Sequence, residues 1–297
     1  MIEKLIPVCK DYLWGGAKLK DKYGKITDAD ICAESWELSF HNDGPSKLAD
    51  GRILRDVVTD KDLGDRVKAF EFFPILIKWI DAKQNLSVQV HPSDEYALKH
   101  ENSYGKTEMW YIVEAEEGAG IYLGFNHNVT NEEVEKAIKE NTLLSLLNFF
   151  AVKPGESYFI PAGTVHAIAK GCLICEIQQN SNLTYRVYDY DRRDKNGNPR
   201  ELHVEKALKV MNFERFTPIQ FDGNVVGECE YFTVEKHKVC GQMELASEGK
   251  SFRCLTVIEG EGMLCGKTIK AGDSYFISAD EENVCLNGNL TVLVAKV

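Results

Sequence analysis

Gln89 and His91 stand two residues apart in the segment Gln84-Asn85-Leu86-Ser87-Val88-Gln89-Val90-His91. Side chains alternate across a β-strand, so an extended segment here turns the amide and the imidazole to one face and Val88 and Val90 to the other. An amide oxygen and an imidazole nitrogen on one wall supply half of a tetrahedral metal site. Glu108, at the head of Glu108-Met109-Trp110-Tyr111, and His166, just after the turn Pro161-Ala162-Gly163, are the candidates for the other half.

The elements that must position these residues are mostly strands. Alternation predicts strands over Ala33–Phe40, Phe73–Trp79, Leu86–His91 and Glu108–Glu114. Pro92 ends the third of these, and Ser93 is placed to cap a short helix through Leu98. Helical patterns appear over Asp60–Ala69, from the capping box Thr130-Asn131-Glu132-Glu133 onward, over Thr142–Phe149, and around 202–210. From Val152 the chain returns to β, and the tail to Val297 reads as all β apart from the short helix at 202–210.

That tail repeats the body. Pro154-Gly155-Glu156-Ser157-Tyr158-Phe159-Ile160-Pro161-Ala162-Gly163 matches Ala271-Gly272-Asp273-Ser274-Tyr275-Phe276-Ile277-Ser278-Ala279-Asp280 nearly position for position. Upstream, Ile112-Val113-Glu114 matches Val257-Ile258-Glu259 at an offset larger by 28 residues. An insertion in the first copy, about residues 130–149 and helical, accounts for the difference. His166 falls opposite Asn283 and Glu108 opposite Arg253, so only the first copy keeps candidate ligands.

Composition excludes several functions. The chain has 297 residues, 44% hydrophobic and 27% charged, which describes an ordinary globular protein. Its longest apolar run, Phe72–Ile77, stops at Lys78, and Met1-Ile2-Glu3-Lys4 does not open a signal peptide. A cytoplasmic location is expected, in keeping with nine cysteines of scattered spacing. Cys172 and Cys175, the only Cys-x-x-Cys pair, lie in a strand pattern that puts their sulfurs on opposite faces, as buried apolar groups. With a net charge of −11, and with Asp191-Arg192-Arg193-Asp194-Lys195 half neutralised by its own aspartates, neither nucleic acid nor membrane is an expected partner.

Gly155-x5-Pro161-x-Gly163-x2-His166 resembles the second motif of the cupin β-barrels, and Gln89-x-His91 with Glu108 resembles the first, at a longer spacing. The surrounding residues narrow this. Gln84–Pro92, Lys106-Thr107-Glu108-Met109-Trp110-Tyr111, Pro161–Ala167, Trp14-Gly15-Gly16 and Glu34-Ser35-Trp36-Glu37 look like the type I phosphomannose isomerases in their shorter bacterial form, over nearly the whole chain. The resemblance implies one zinc ion held by Gln89, His91, Glu108 and His166. Their chemistry is compatible, although without a thiolate the ligand types also admit iron, manganese or cobalt.

The implied reaction interconverts mannose 6-phosphate and fructose 6-phosphate through a cis-enediol. It needs a base, an electrophile and an anchor for phosphate. By resemblance Arg186, Lys106 and Glu176 are the catalytic residues. Taken alone, Arg186 reads equally as a surface strand cation, Lys106 as an exposed lysine of the Tyr104-Gly105-Lys106 turn, and Glu176 as a salt-bridge partner. For the base, Lys106, Glu176 and a zinc-bound water all remain candidates.

The expected fold is mainly β: two cupin-like jelly-roll barrels, the first (residues 1–215) carrying the site and the helical insertion, the second (216–297) free of metal. Isomerisation of another sugar phosphate, an iron-dependent cupin oxygenase, and a sugar-binding cupin without catalysis are the competing functions. A hexose 6-phosphate is the expected small-molecule partner.

Overall fold

The structure, a computed structural model, describes residues 1–193 and 196–297; Asp194 and Lys195, at the end of the charged block, lie outside the described residues. It divides into two compact units. One comprises Met1–Asp11, Ala17–Trp79 and Gln220–Val297, the other Tyr12–Gly16 and Ile80–Ile219. The expected boundary near 215 lies close to Gln220, whereas residues 17–79 group with the C-terminal segment instead of with the candidate ligands. Long-range pairing is the reason. Ile2–Lys4 pairs antiparallel with Ser274–Ile277, Phe252 N–H donates to Leu63 O, and Ala279 N–H donates to Asp62 O.

The chain is mainly β, in open sheets with few helices. Among the described residues, no helix is long and apolar enough to cross a membrane. In the unit holding the candidate ligands, one sheet runs Tyr185–Tyr188, Val88–Val90, His166–Ile168, Gly120–Phe125, Leu147–Ala151. Val88, Val90, Tyr185, Val187 and Ala167 turn to one face of it and pack with Val134, Ile138 and Ala207 of the helices Asn131–Lys139 and Val204–Val210. Thr130 caps the first helix by accepting from Glu133 N–H at 3.2 Å. The helices thus seal the outer face, and the inner face is left to polar residues. Phe125 is fully buried in this layer. Phe125→Ala is expected to cost about 3–5 kcal/mol through lost transfer energy and the cavity left behind. Chemical denaturation reads this, and an unchanged midpoint would contradict the packing.

Facing that polar surface, Glu108–Ala115 pairs with Cys172–Gln179 on one side and Ser157–Ile160 on the other. Cys172 and Cys175 are buried in this strand, outside any disulfide. In the other unit, Arg253–Leu264 pairs with Val284–Lys296 and Ser274–Ile277. The two arrangements share a register. Glu108 lies opposite Ile160 as Arg253 lies opposite Ile277, which is the correspondence the sequence repeat predicts.

Three helix expectations are corrected. Thr142–Phe149 is only a 3-10 turn, Leu143–Leu146, followed by the strand Leu147–Ala151. Pairing with Gly120–Phe125 overrides the local pattern there, and Asn148 Nδ2 holds the carbonyls of Leu123, Gly124 and Phe125. Asp60–Ala69 is broken at Gly64, whose φ is +84° and whose missing Cβ makes room for the Lys250 carbonyl. Ser93 makes no side-chain cap to the helix Asp94–His100.

The two N-terminal motifs make structural contacts. In Glu34-Ser35-Trp36-Glu37, Glu37 is buried against Lys25 at 2.6 Å and accepts from Ser35 Oγ at 2.6 Å, while Trp36 Nε1 donates to Glu34 at 2.7 Å. In Trp14-Gly15-Gly16, a Cβ on Gly16 would collide with the Asp81 carboxylate at 2.3 Å.

Candidate metal centre

His166 lies directly opposite Gln89, and Gln89 directly opposite Arg186. Residues opposite each other in antiparallel strands share a face, so the three form one row across the sheet. Ser87, two before Gln89, shares that face and accepts from Arg186 Nε at 3.3 Å. His91 follows the Val88–Val90 strand and is buried beside His166, with ring centroids 4.8 Å apart.

Both imidazoles are oriented by backbone carbonyls. Nδ1 of His91 is 2.8 Å from Leu183 O, and Nδ1 of His166 is 2.8 Å from Thr164 O. A carbonyl only accepts, so each Nδ1 carries the proton and each Nε2 presents a lone pair. Burial pushes the His166 pKa down to about 4, which keeps that ring neutral near pH 7. Glu108 enters from the facing sheet: Oε1 is 3.4 Å from His166 Nε2, and Oε2 is 3.7 Å from His91 Nε2. Among the described residues these three form the one group of three His, Cys, Asp or Glu side chains arranged to hold a metal, their ligand atoms all within 4.8 Å.

The donor set fits a metal such as zinc. Ligand arms of about 2.0–2.1 Å in a tetrahedron put donor atoms roughly 3.3–3.4 Å apart, close to the separations between Glu108 and the two imidazoles. Gln89 Nε2 is 3.3 Å from His166 Nε2. Rotating the amide by half a turn sets Oε1 there instead, a choice that the hydrogen-bond partners decide. Carbonyls on the far nitrogens of both histidines are the outer partners that metal-bound imidazoles use.

The remaining candidates surround this cluster. Lys106 is 4% exposed, so it is no surface turn lysine. Its Nζ is 2.8 Å from Glu108 Oε2 and 3.7 Å from Glu176 Oε1. Glu176, also buried, lies opposite Trp110, whose indole N–H donates to Glu176 Oε2 at 2.8 Å. The same indole stands edge-on to His166, centroids 5.4 Å apart at 82°.

Comparison with known proteins points to one family. Residues 2–121 match the family described as phosphomannose isomerase type I, catalytic domain, and residues 223–297 match the mannose-6-phosphate isomerase cupin domain. Mannose-6-phosphate isomerase ManA of Bacillus subtilis is 40% identical over 91% of both chains. A probable mannose-6-phosphate isomerase of the same organism, GmuF, is 36% identical over 98% of both. The crystal structure of a Bacillus subtilis mannose 6-phosphate isomerase, 34% identical, superposes with a TM-score of 0.89 over 100% of this chain and 99% of that one. The chain belongs to the type I phosphomannose isomerases. Its reaction class is aldose–ketose isomerisation.

As a phosphomannose isomerase, the chain gathers His91, Glu108, His166, Lys106 and Glu176 into one buried cluster, with Gln89 partly buried beside it. Arg186 stands at the end of the row, half-buried, with Nη1 donating to Glu201 O at 2.9 Å. Two further residues complete the wall and were not singled out from sequence. Trp110 holds Glu176, and Gln178 lies opposite Glu108 with its Nε2 on the carbonyls of Gln179 and Ser181. Their signal was the period of two: Trp110 follows Glu108 by two positions, and Gln178 follows Glu176 by two.

Proposed function

We propose that the chain interconverts mannose 6-phosphate and fructose 6-phosphate at the His91–Glu108–His166 cluster, with one zinc ion held by these residues and Gln89. The observation that carries this is the packing of the Lys106–Glu176–Trp110 set against the three metal donors. A protein that only binds sugar has no use for a buried acid–base pair there.

The reaction moves a proton between C1 and C2 of the open-chain sugar. Zinc, when bound, supplies a Lewis acid that polarises the substrate oxygens. Glu176 is the base: Trp110 fixes one carboxylate oxygen and Lys106 faces the other, so the carboxylate is held in one orientation. Lys106, set between Glu108 and Glu176, is placed to offset the negative charge that develops on the substrate as the enediol forms. Arg186 turns its planar guanidinium to the same face as Gln89 and serves the phosphate or the enediolate as a bidentate donor.

The two-barrel organisation belongs to this proposal. It is supported by the shared register of Glu108 opposite Ile160 and Arg253 opposite Ile277. In it, the region through about residue 215 holds the metal and the C-terminal copy holds none. A cytoplasmic setting is supported by nine cysteines with no disulfide among the described residues.

Metal-replete protein incubated with mannose 6-phosphate in D2O is expected to form fructose 6-phosphate with deuterium incorporated from solvent. A chelator should abolish turnover, and zinc should restore it. No turnover with any aldose 6-phosphate would refute the isomerase, and turnover that consumes O2 would return the site to an iron oxygenase.

A further inference from the structure

The C-terminal sheet carries ionisable groups on a face that is otherwise apolar. Leu255, Val257, Val292, Val294 and Ile277 share one buried cluster. Glu235 lies directly opposite Val294, His237 opposite Val292, and Arg253 opposite Ile277, so all three turn to that same face. Lys296, two beyond Val294, joins them. They border a cavity of about 320 Å³, with Met243, Leu245 and Val294 as its apolar lining and Arg66, Glu244, Glu248 and Lys250 around it. This volume is in the range of small-molecule sites.

Most of the charges at the cavity are matched. Glu235 holds Lys296 at 2.8 Å and His237 at 3.0 Å, and Glu248 holds Arg66 at 2.9 Å. Arg253 is buried and makes no ion pair among the described residues. It is 3% exposed, and its hydrogen bonds go to backbone carbonyls alone: Nη1 to Leu245 at 3.0 Å and to Ala246 at 3.2 Å, Nη2 to Glu281 O. Its Nε–H, also buried, makes no hydrogen bond. The nearby Glu281 carboxylate is engaged by the N-terminal ammonium at 2.8 Å. Carbonyl dipoles hold the guanidinium in place but leave its charge uncompensated, and a buried cation in that condition is costly.

The repeat explains how such a site arises. Arg253 takes the register position of Glu108, and Lys296, one step past the pair Cys254–Ala295, takes that of Gln178. A carboxylate and an amide that suit a cation are replaced by two cations that suit an anion.

We propose that this cavity is a second ligand site, which takes the phosphate group of a small metabolite on Arg253. The free Nε–H and the remaining Nη2–H of the guanidinium can meet two phosphate oxygens, and Glu235 and His237 offer partners for hydroxyl groups.

The test follows the His237 ring resonances in the metal-replete protein, titrated with inorganic phosphate and with glucose 6-phosphate at constant ionic strength. A saturable shift with either is expected. Arg253→Met should weaken that binding by about tenfold or more, the scale of a lost charge-assisted hydrogen bond, with zinc content and kcat for mannose 6-phosphate unchanged. Lys250→Glu, at an exposed rim position, tests the same point without touching the core and should weaken binding severalfold. No saturable shift with either anion would overturn the proposal, as would equal affinity in both variants and the parent.

Discussion

Replacing His166 by alanine is expected to release the metal: dialysed protein should retain far less than one zinc per chain, and isomerase activity should fall with it. The ring contributes its Nε2 lone pair to a cluster in which Glu108 and Gln89 stand 3.4 and 3.3 Å from that atom. Loss of an outer partner of a metal ligand already costs about 10–100-fold in affinity, so loss of a ligand should cost at least about 100-fold. The fold should survive. His166 lies at the start of a three-residue strand whose other buried residues, Ala167 and Ile168, are untouched. His166→Asn is the sharper variant, because the C-terminal copy carries Asn283 at the matching position. It keeps a polar group of similar reach and should fail to hold zinc as fully as alanine does. Metal analysis with circular dichroism as the folding control decides the matter. Full zinc content in either variant would remove His166 from the ligand set.

Only part of the candidate donor set follows from local period, which puts Gln89 and His91 on one face; Glu108 and His166 are candidates through motif resemblance. Gln89 and His91, and Glu108 and Trp110, are each related by the alternation of a single strand. The internal repeat added something that alternation cannot supply, namely that Glu108 and Arg253 occupy equivalent positions. The identical pairing with Ile160 and Ile277 shows the physical content of that correspondence.

Other features depended on which segments meet, and no local pattern encodes that. Lys106 precedes its strand in a glycine-containing turn and read equally well as exposed. Its burial comes from Pro92, whose carbonyl accepts from Lys106 N–H at 3.0 Å, and from the two carboxylates at its Nζ. Leu147–Ala151 had a helical appearance, and its strand state follows from the edge that Gly120–Phe125 offers. The grouping of residues 17–79 with the C-terminal segment rests on contacts across most of the chain's length, such as Lys25 Nζ on Gly272 O at 2.5 Å.

Glu176→Gln should separate catalysis from metal binding. General acid–base groups contribute on the order of 10²–10⁴-fold in rate, and kcat is expected to fall within that range while zinc content stays at the parent level. The substitution preserves shape. The glutamine Oε1 can still accept the Trp110 indole N–H, so the orientation that the 2.8 Å bond imposes is kept and only basicity is lost.

Arg186→Ala makes a useful contrast. The guanidinium is half-buried and bonded to Ser87 Oγ and Glu201 O. If it grips the substrate phosphate in ground and transition states alike, its loss raises KM. If it stabilises the enediolate, kcat falls instead. Deuterium exchange at C2 then distinguishes the base from the anchor. Glu176→Gln should lose exchange in step with turnover even at saturating substrate, because no group remains to take the proton. Arg186→Ala should still exchange once substrate is bound. Exchange that persists at the parent rate in Glu176→Gln would take the base away from Glu176 and leave Lys106, whose Nζ is 3.7 Å from that carboxylate and would have to act as the neutral amine, or a metal-bound water.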